Sequence, residues 1–253
     1  NTRTKNPPSP PGSTAYNTRH KPFDQLEVRQ ALDMAVNKEA IIKAVFQGAG
    51  QVAVNTMPPT QWSYDESIAD APRDLEKARQ MLRDAGVREG TEITLWAMPV
   101  QRPYNPDARL MAQMLQDDWG KLGLKVNIVS YEWGEYLKRA KNGEHDTLLI
   151  GWTGDNGDPD NWLGTLYGCD AIGSHNHSMW CDPEYDALMK KAKGTNDREQ
   201  RSELYRQAQH YIKQHVPITP IAHSTVSQPV STRVQDYRVS PFGKTTFRDV
   251  GID

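Results

Sequence analysis

The sequence has no long hydrophobic run and no excess of charge of one sign. No apolar stretch approaches the ~18 residues that a membrane-spanning helix needs. The formal net charge of the 253-residue chain is −2, so we expect no nucleic-acid partner and no direct insertion into a membrane. With 37% hydrophobic and 25% charged residues, the chain is typical of a globular protein with one large domain or two small ones.

Common sequence patterns of catalytic, nucleotide-binding and metal sites are also missing. The sequence contains no Gly-x-Ser-x-Gly, no His-Glu-x-x-His and no phosphate-cradling glycine loop. Asp155, Asp158 and Asp160 lack the alternating spacing and the distal glutamate of an EF-hand. His175 and His177 lie in a spacing that matches no common zinc site. We therefore expect no catalytic centre, no metal and no cofactor.

Cysteine is scarce, and the two cysteines lie close together. Cys169 and Cys181 flank a loop rich in glycine, aspartate, serine and histidine. A local disulfide would imply an oxidising compartment, and the alternative is two free buried thiols. Because polar neighbours argue against burial, the disulfide is the favoured interpretation.

The first residues differ in composition from the rest of the chain. Residues 1–15 contain four prolines close together, with glycine, serine and threonine among them. This composition predicts a linker or a disordered arm, because it does not support a helix and buries little surface. Residues 16–253 then form the predicted domain.

The most regular pattern lies between residues 93 and 152. Strands are predicted at 93–98, 125–130 and 147–152, and helices at 107–122 and 132–142. Strand, helix, strand, helix, strand implies right-handed crossovers and a mostly parallel sheet flanked by helices, an α/β fold. Further helices are predicted elsewhere, with Asn37, Asp74 and Asp197 as N-caps.

Two irregular loops follow the first and the third of these strands. Residues 98–106 include Arg102, and residues 151–161 include Asp155 between two glycines. Ligands of open α/β sheets bind outside the carboxyl ends of the strands. We therefore expect the two loops to form the two halves of a small-molecule site.

Arg102 and Asp155 carry opposite charges in these loops. Taken singly, Arg102 is explained as a surface residue or a partner of Asp107, and Asp155 as an Asx turn. Together, however, a guanidinium suited to a carboxylate and a carboxylate suited to an ammonium form a slot for a zwitterion. The charged ends of a dipeptide are roughly 7 Å apart, a span that suits such a slot.

Aromatic residues are predicted to form the walls of the slot. Tyr104 and Trp152 lie in the two loops, and Trp133 follows the middle strand. Large rings contact different side chains without requiring one shape, so a site walled in this way accepts varied ligands.

Several long motifs point to a known family. They are residues 15–18 (Ala-Tyr-Asn-Thr), 28–32 (Val-Arg-Gln-Ala-Leu), 96–106 (Trp-Ala-Met-Pro-Val-Gln-Arg-Pro-Tyr-Asn-Pro), 130–140 (Ser-Tyr-Glu-Trp-Gly-Glu-Tyr-Leu-Lys-Arg-Ala) and the loop 151–161. In these motifs the chain resembles the peptide-binding proteins of bacterial ABC importers, above all those that bind dipeptides. The resemblance runs from about Tyr16 to the C-terminus.

The resemblance implies a fold, a site and a disulfide. Family members are two-lobed periplasmic clamshells that close over a peptide. The arginine of the Gln-Arg-Pro-Tyr motif binds the peptide carboxylate, and the aspartate of the Trp-Thr-Gly-Asp motif binds the α-ammonium. These positions are Arg102 and Asp155, and Gly154 of the second motif joins the expected ligand-binding residues. A disulfide is implied between Cys169 and Cys181.

The resemblance also implies partners and a place in a longer protein. Family members carry a secretion signal and a long N-terminal lobe before the region of Tyr16, so we expect this chain to represent mainly the C-terminal lobe, with hinge-crossing segments near its ends. The expected function is capture of dipeptides in the periplasm by a monomer, and their delivery to permease subunits in the inner membrane.

The sequence is also compatible with other cargoes and with one enzymatic function. Haem, nickel or a longer peptide are other possible cargoes, although the two loops supply no cluster of histidine or methionine for nickel. A longer peptide would not need both termini held at a fixed distance. A hydrolase that uses Asp155 and Asp158 as an acid–base pair is the alternative of a different class.

Overall fold

The computed structural model describes residues 2–5, 11–225, 227–237 and 247–253, which contain ten strands and eight α-helices. The strands are β1 (Thr2–Lys5), β2 (Pro11–Tyr16), β3 (Gly50–Val52), β4 (Glu92–Trp96), β5 (Lys125–Val129), β6 (Thr147–Gly151), β7 (Ile218–Ser224), β8 (Ser227–Val230), β9 (Val234–Gln235) and β10 (Gly251–Ile252). The helices are α1 (Leu26–Ala35), α2 (Lys38–Val45), α3 (Leu75–Asp84), α4 (Ala108–Gly120), α5 (Trp133–Lys141), α6 (Asp160–Tyr167), α7 (Pro183–Lys193) and α8 (Arg198–His215).

Six strands form one mixed sheet in the order β3-β7-β2-β6-β4-β5. β4 is parallel to both of its neighbours, β5 and β6, and α4 and α5 are the crossover helices. This part confirms the predicted strand-helix-strand-helix-strand unit and the α/β class. β2, β7 and β3 extend the sheet with antiparallel pairings. Two antiparallel ribbons, β1 with β8 and β9 with β10, complete the described strands.

The two crossover helices lie on opposite faces of the sheet. The chain crosses from β4 to β5 in one direction and from β5 back past β4 to β6 in the other, so right-handed connections require opposite faces. α4 packs on the face of Tyr16, whose ring centroid is 6.2 Å from that of Trp119. α5 lies on the face of Ala15, because successive residues of a strand point to opposite sides. This second face carries the site described below.

Polar side chains begin the helices where the sequence predicts. Asn37 accepts the backbone N–H of Ala40 at 3.1 Å, and Asp74 accepts that of Lys77 at 2.9 Å. Asp197 caps α8 in the same manner. Each bond satisfies a backbone donor that has no partner within the helix, so these local signals position the helices.

The predicted linker or disordered arm is wrong for the part of residues 1–15 that the structure describes. Pro11–Tyr16 is a fully buried strand between β6 and β7, and Thr2–Lys5 pairs with β8. A proline is tolerated as the first residue of a strand, and the residues after Pro11 are small or favour strands. Averaging the composition over the proline cluster hid this short strand. Residues 1 and 6–10 of the arm lie outside the described residues.

Two apolar cores occupy the two sides of the sheet. One contains Tyr16 and Trp119 together with residues of α1 to α4, and it continues around the sheet to α5. The other contains Trp162, Tyr185 and Tyr205 and joins α6, α7 and α8 to the sheet. In the part of the chain that the structure describes, no helix combines the length and the apolar character that crossing a membrane requires.

Candidate functional site

A cavity of about 310 Å³ lies on the second face of the sheet, where β6 ends and β2 begins. Ser13 and Ala15 of β2 and Ile150 of β6 form its floor. One wall is the face of α5, a second wall is α6, and a third is the loop between the two cysteines. The predicted edge of the sheet is therefore concave and mostly apolar, as small-molecule sites are.

Arg102 lies in a tight turn beside the cavity. Its backbone N–H donates to the carbonyl of Asn105 at 3.0 Å, and the N–H of Asn105 donates back at 2.9 Å. The guanidinium carbon lies 4.9 Å from the centroid of the Trp133 ring, a cation–π contact. No carboxylate pairs with Arg102 among the described residues. Asp107 instead caps α4, so the pairing considered from the sequence is not formed.

Two glycines of paired strands hold the turn of Arg102 against the sheet. Gly12 of β2 lies opposite Gly151 of β6. A Cβ atom at Gly12 would be 2.2 Å from the carbonyl oxygen of Tyr104, and one at Gly151 would be 2.3 Å from its ring. Only glycine permits this approach, so Tyr104 is buried over the sheet. Burial raises the pKa of Tyr104, and the charge of neighbouring Arg102 opposes the rise.

The opposite loop is organised by Asn161, a residue that sequence reasoning missed. Its side-chain oxygen accepts the indole N–H of Trp152 at 3.0 Å and the backbone N–H of Asp155 at 2.8 Å. Trp152 lines the cavity, and its ring lies 4.7 Å from that of His175. Asp155 is exposed and is not part of the cavity lining. Its carboxylate has no ion-pair partner in the described part of the chain, and the amide of Asn161 lies at 3.4 Å.

Gly154 does not line the cavity itself, but it lies close to Trp162, which does. It has a φ of +74°, a conformation that favours glycine, and a Cβ atom there would be 2.3 Å from the ring of Trp162. Trp162 is buried and lines the cavity. Gly154 therefore allows the loop to close over the tryptophan that forms part of the site.

Asp158 and Asp160 are engaged by the fold. Both oxygens of Asp158 lie within 3.0 Å of a guanidinium nitrogen of Arg201, and the same carboxylate accepts the backbone N–H of Asp160. Asp160 lies 3.2 Å from the ammonium of Lys193. These bonds assign the two aspartates to the start of α6. They leave Asp158 poorly placed for the hydrolytic pair with Asp155 that the sequence suggested.

The loop between the cysteines is closed by a disulfide and forms one wall of the cavity. Cys169 and Cys181 are bonded, as predicted. Ser174, His175 and His177 of this loop line the cavity. The disulfide thus holds a wall of the site as well as a segment of the surface.

Burial disfavours the charged form of the histidines near this wall. Burial lowers the pKa of His177 to about 3 and that of His145 to about 4. His145 donates from Nε2 to the carbonyl of His177 at 2.7 Å. Burial also lowers the pKa of His175, the nearby charge of Lys141 lowers it further, and Asp155 raises it.

The structure brings together most of the residues expected at the site. Arg102, Tyr104, Trp133 and Trp152 line one cavity, and Asp155 and Gly154 lie just outside its lining. Sequence reasoning missed Leu137 and Lys141, which follow Trp133 on α5 at intervals of four residues and also line the cavity. This spacing places all three on one helix face, so it was a signal available from the sequence.

A fold with a parallel strand-helix-strand-helix-strand unit and an aromatic cavity at the carboxyl edge of its sheet is typical of a ligand-binding lobe. Residues 2–174 match the model of the family described as bacterial extracellular solute-binding proteins, family 5, middle region. The match covers more than half of the chain, and the chain belongs to this family.

Similar proteins have been named for two kinds of cargo. The chain is 70% identical over 241 residues to Di/tripeptide-binding protein 1 of Pseudomonas aeruginosa, a match that covers 95% of this chain and 45% of that protein. It is 48% identical over 239 residues to Heme-binding protein A of Haemophilus influenzae, covering 94% and 44%. It also resembles the crystal structure of a dipeptide-binding protein from Pseudoalteromonas sp. SM9913 in complex with Met-Leu, with a TM-score of 0.91 and 38% identity, covering 100% of this chain and 50% of that one. The chain thus spans about half the length of the relatives it matches.

Proposed function

We propose that this chain is one lobe of a two-lobed solute-binding protein that captures dipeptides in the periplasm. The captured peptide is delivered to the permease of an ABC importer, and the protein is a monomer with no catalytic activity of its own. The observation that carries the proposal is the guanidinium of Arg102, which has no carboxylate partner among the described residues and lines an aromatic cavity in a chain of this family. The 70% identical relative is named for di- and tripeptides, and the 38% identical structure holds the dipeptide Met-Leu, which supports a short peptide such as a dipeptide as the cargo.

Arg102 is proposed to bind the carboxylate of the peptide. A guanidinium offers two parallel N–H donors that match the two oxygens of a carboxylate. The side chain is fixed before the ligand arrives, since its backbone lies in a hydrogen-bonded turn and its plane contacts Trp133. Pre-ordering of this kind reduces the conformational entropy that binding costs.

Asp155 is proposed to bind the α-ammonium. Its carboxylate is free of ion pairs in the described part of the chain. The side chain of Asn161 joins its backbone N–H to the indole of Trp152, which lines the cavity. Because Asp155 is exposed, its attraction for an ammonium is screened by water in this lobe alone. Closure of a second lobe would exclude that water and strengthen the contact.

The remaining predicted residues are proposed to shape the cavity. Tyr104, Trp133 and Trp152 provide apolar surface for peptide side chains, and Gly154 lets the loop approach Trp162. A cavity of about 310 Å³ lies at the lower end of the roughly 300–1,000 Å³ of small-molecule sites, which favours a short peptide.

The connection to the second lobe is proposed to run through the central strands. β2 and β7 are neighbours in the sheet, and the strands that precede and follow them in sequence, β1 and β8, pair with each other. Two adjacent antiparallel strands that leave the domain together form a short double connection. Such a connection is suited to a hinge, as the sequence led us to expect.

Calorimetry on the full-length protein tests the proposal. Met-Leu and its N-acetylated, C-amidated analogue have the same side chains but differ in both terminal charges. We expect the free dipeptide to bind and the blocked analogue to bind far more weakly. Equal affinity for the two would rule out recognition of the termini, and no heat of binding with any dipeptide would overturn the function.

Haem is the second candidate cargo, because the relative from Haemophilus influenzae is named for it. An absorption titration with haem, followed by addition of Met-Leu, separates the candidates. Displacement of haem by the dipeptide would indicate one shared cavity. If the protein binds haem and binds no dipeptide, haem would replace dipeptides as the proposed cargo.

A further inference from the structure

One face of α5 forms a wall of the cavity along its whole length. Trp133, Leu137 and Lys141 succeed one another at four-residue intervals, and all three line the cavity. Eight residues of helix at ~1.5 Å each separate the first from the third by roughly 12 Å. Arg102 lies against Trp133 at one end of this face. Lys141 therefore marks the other end of the same wall.

Lys141 differs from the neighbouring cations of α5 in having no anionic partner among the residues that the structure describes. Lys138 lies 4.0 Å from Glu135, and Arg139 donates to Glu135 at 2.8 Å. No ion pair or hydrogen bond of the Lys141 side chain is found within the described ranges 2–5, 11–225, 227–237 and 247–253. Its ammonium is thus left with a positive charge at a cavity wall and no carboxylate to neutralise it.

The charges around the cavity point to an anionic ligand group at this end. The side chains that line it include Arg102 and Lys141, and no aspartate or glutamate of the described part of the chain belongs to the lining. Lys141 ends α5, and His145, four residues later, donates to the carbonyl of His177 in the loop between the cysteines. Trp152, three residues before Asp155, has its ring 4.7 Å from that of His175 in the same loop. Lys141 and the loop of Asp155 therefore both border this loop of the cavity wall. A ligand whose ammonium is bound by Asp155 would therefore place its first side chain beside Lys141.

We propose that Lys141 is a specificity-determining residue that gives the site a preference for dipeptides with an acidic first side chain. This inference rests on the proposed binding of dipeptides and adds a side-chain preference to it. The ammonium is a compact point charge on a flexible four-carbon stem, so it follows a carboxylate without requiring one geometry. Leu137, next along the helix, offers apolar contact to the stem of that side chain.

The test compares two isosteric peptides in calorimetric titrations of the full-length protein. Asp-Ala and Asn-Ala differ by one charge and have nearly the same shape. We expect the wild-type protein to bind Asp-Ala about twofold to fivefold more tightly, the range of an exposed ion pair. In Lys141→Met the ratio of the two affinities, Asp-Ala over Asn-Ala, should fall to about one, chiefly because Asp-Ala binds more weakly.

Lys138→Met is the matched control. It removes the same charge from the same helix one turn away, at a residue that pairs with Glu135 and does not line the cavity. The preference for Asp-Ala should remain in this variant. An equal loss of preference in both variants would show a general effect of net charge and would overturn the role of Lys141.

The remaining outcomes separate this inference from the function on which it rests. If Asn-Ala binds and Asp-Ala binds no better, dipeptide binding stands and the preference is refuted. If Lys141→Met lowers the affinity for both peptides equally, Lys141 does not distinguish their side chains, and its role in specificity is refuted. A preference that depends on Lys141 but appears with Ala-Asp would overturn the assignment to the first residue. No binding of any dipeptide would remove both proposals.

Discussion

The two loops at the carboxyl edge of the sheet present their charges in different ways. Arg102 is half-buried, lies in a turn closed by two backbone hydrogen bonds, and packs against Trp133. Asp155 is exposed, and its backbone N–H donates to the side chain of Asn161, which also accepts the indole N–H of Trp152. The proposed arginine anchor is therefore ordered within this lobe, whereas the proposed aspartate anchor would be completed by the ligand and by the second lobe. We therefore expect the two anchors to contribute unequally to binding.

The largest expected effect is the loss of the arginine anchor. Arg102→Ala should weaken dipeptide binding by about 3 kcal/mol, on the order of 100-fold, because a ligand carboxylate would be buried without a partner. Arg102→Lys keeps the charge but loses the planar fork, so it should recover only part of the affinity. Calorimetry on the full-length protein measures both. An unchanged affinity in Arg102→Ala would exclude Arg102 from the site.

The next effect concerns the packing that positions the arginine turn. Gly151→Ala would place a Cβ atom 2.3 Å from the ring of Tyr104, and overpacking of this kind typically costs about 1–3 kcal/mol of stability. We expect a lower urea midpoint together with weaker dipeptide binding. Gly120→Ala is the matched control, since no described atom outside its own helix backbone and chain neighbours lies within 4 Å of the added Cβ. Equal stability of the two variants would contradict the close approach of Tyr104 to β6.

A smaller effect is expected at the aspartate anchor. Asp155→Asn removes the charge but keeps the shape, and an exposed ion pair is worth about 1 kcal/mol or less. Binding should weaken by up to about fivefold, and the difference from wild type should shrink as salt is added. A loss of affinity as large as that of Arg102→Ala would contradict the expectation that the two anchors contribute unequally to binding. It would show that closure of the second lobe buries the aspartate as deeply as the arginine.

The smallest effect is a pH dependence on the disulfide side of the cavity. His145 and His177 have pKa values of about 4 and about 3, below the ~6.5 of an unfolded chain. The unfolded state therefore binds more protons between these values, and stability is present above pH 6.5 and is lost as the pH falls towards 4. Between pH 7 and pH 6, one such histidine lowers the free energy of unfolding by roughly 0.7 kcal/mol.

The histidine contribution is measured by the change in pH slope. His145→Gln should reduce the loss of stability between pH 7 and pH 6 by roughly 0.7 kcal/mol, whatever the effect of the substitution on stability at pH 7. Urea unfolding at the two pH values supplies the measurement. His210→Gln is the control, because His210 is exposed in a surface pair with Asp65. An identical slope in wild type and in His145→Gln would contradict the neutral, buried state of His145.

Local signals account for what the sequence predicted well. Asn37, Asp74 and Asp197 cap the helices as expected, because an N-cap depends on a donor two or three residues away. The parallel unit followed from hydrophobic patterns within residues 93–152. The resemblance then indicated Arg102 and the disulfide before any geometry was known.

The errors and omissions share one cause, which is dependence on residues far apart in the chain. β2 is a strand because β6 and β7 cover both of its edges, more than 130 residues later in the chain. Asp158 is structural because Arg201 reaches it from α8. Composition and spacing carry no information about such partners, so the arm was misassigned and the aspartate remained open as a candidate acid or base.

By itself, the sequence determined the α/β class, the helix ends, the family and the residue types at the edge of the sheet, because each depends on short-range patterns or long motifs. Only the tertiary structure decided which charges are left unpaired and which side chains share a cavity. It placed Arg102 on Trp133, left Asp155 outside the lining and brought Lys141 to the far end of the same wall. Pairing and burial are properties of neighbours in space, and the chain acquires those neighbours only when it folds.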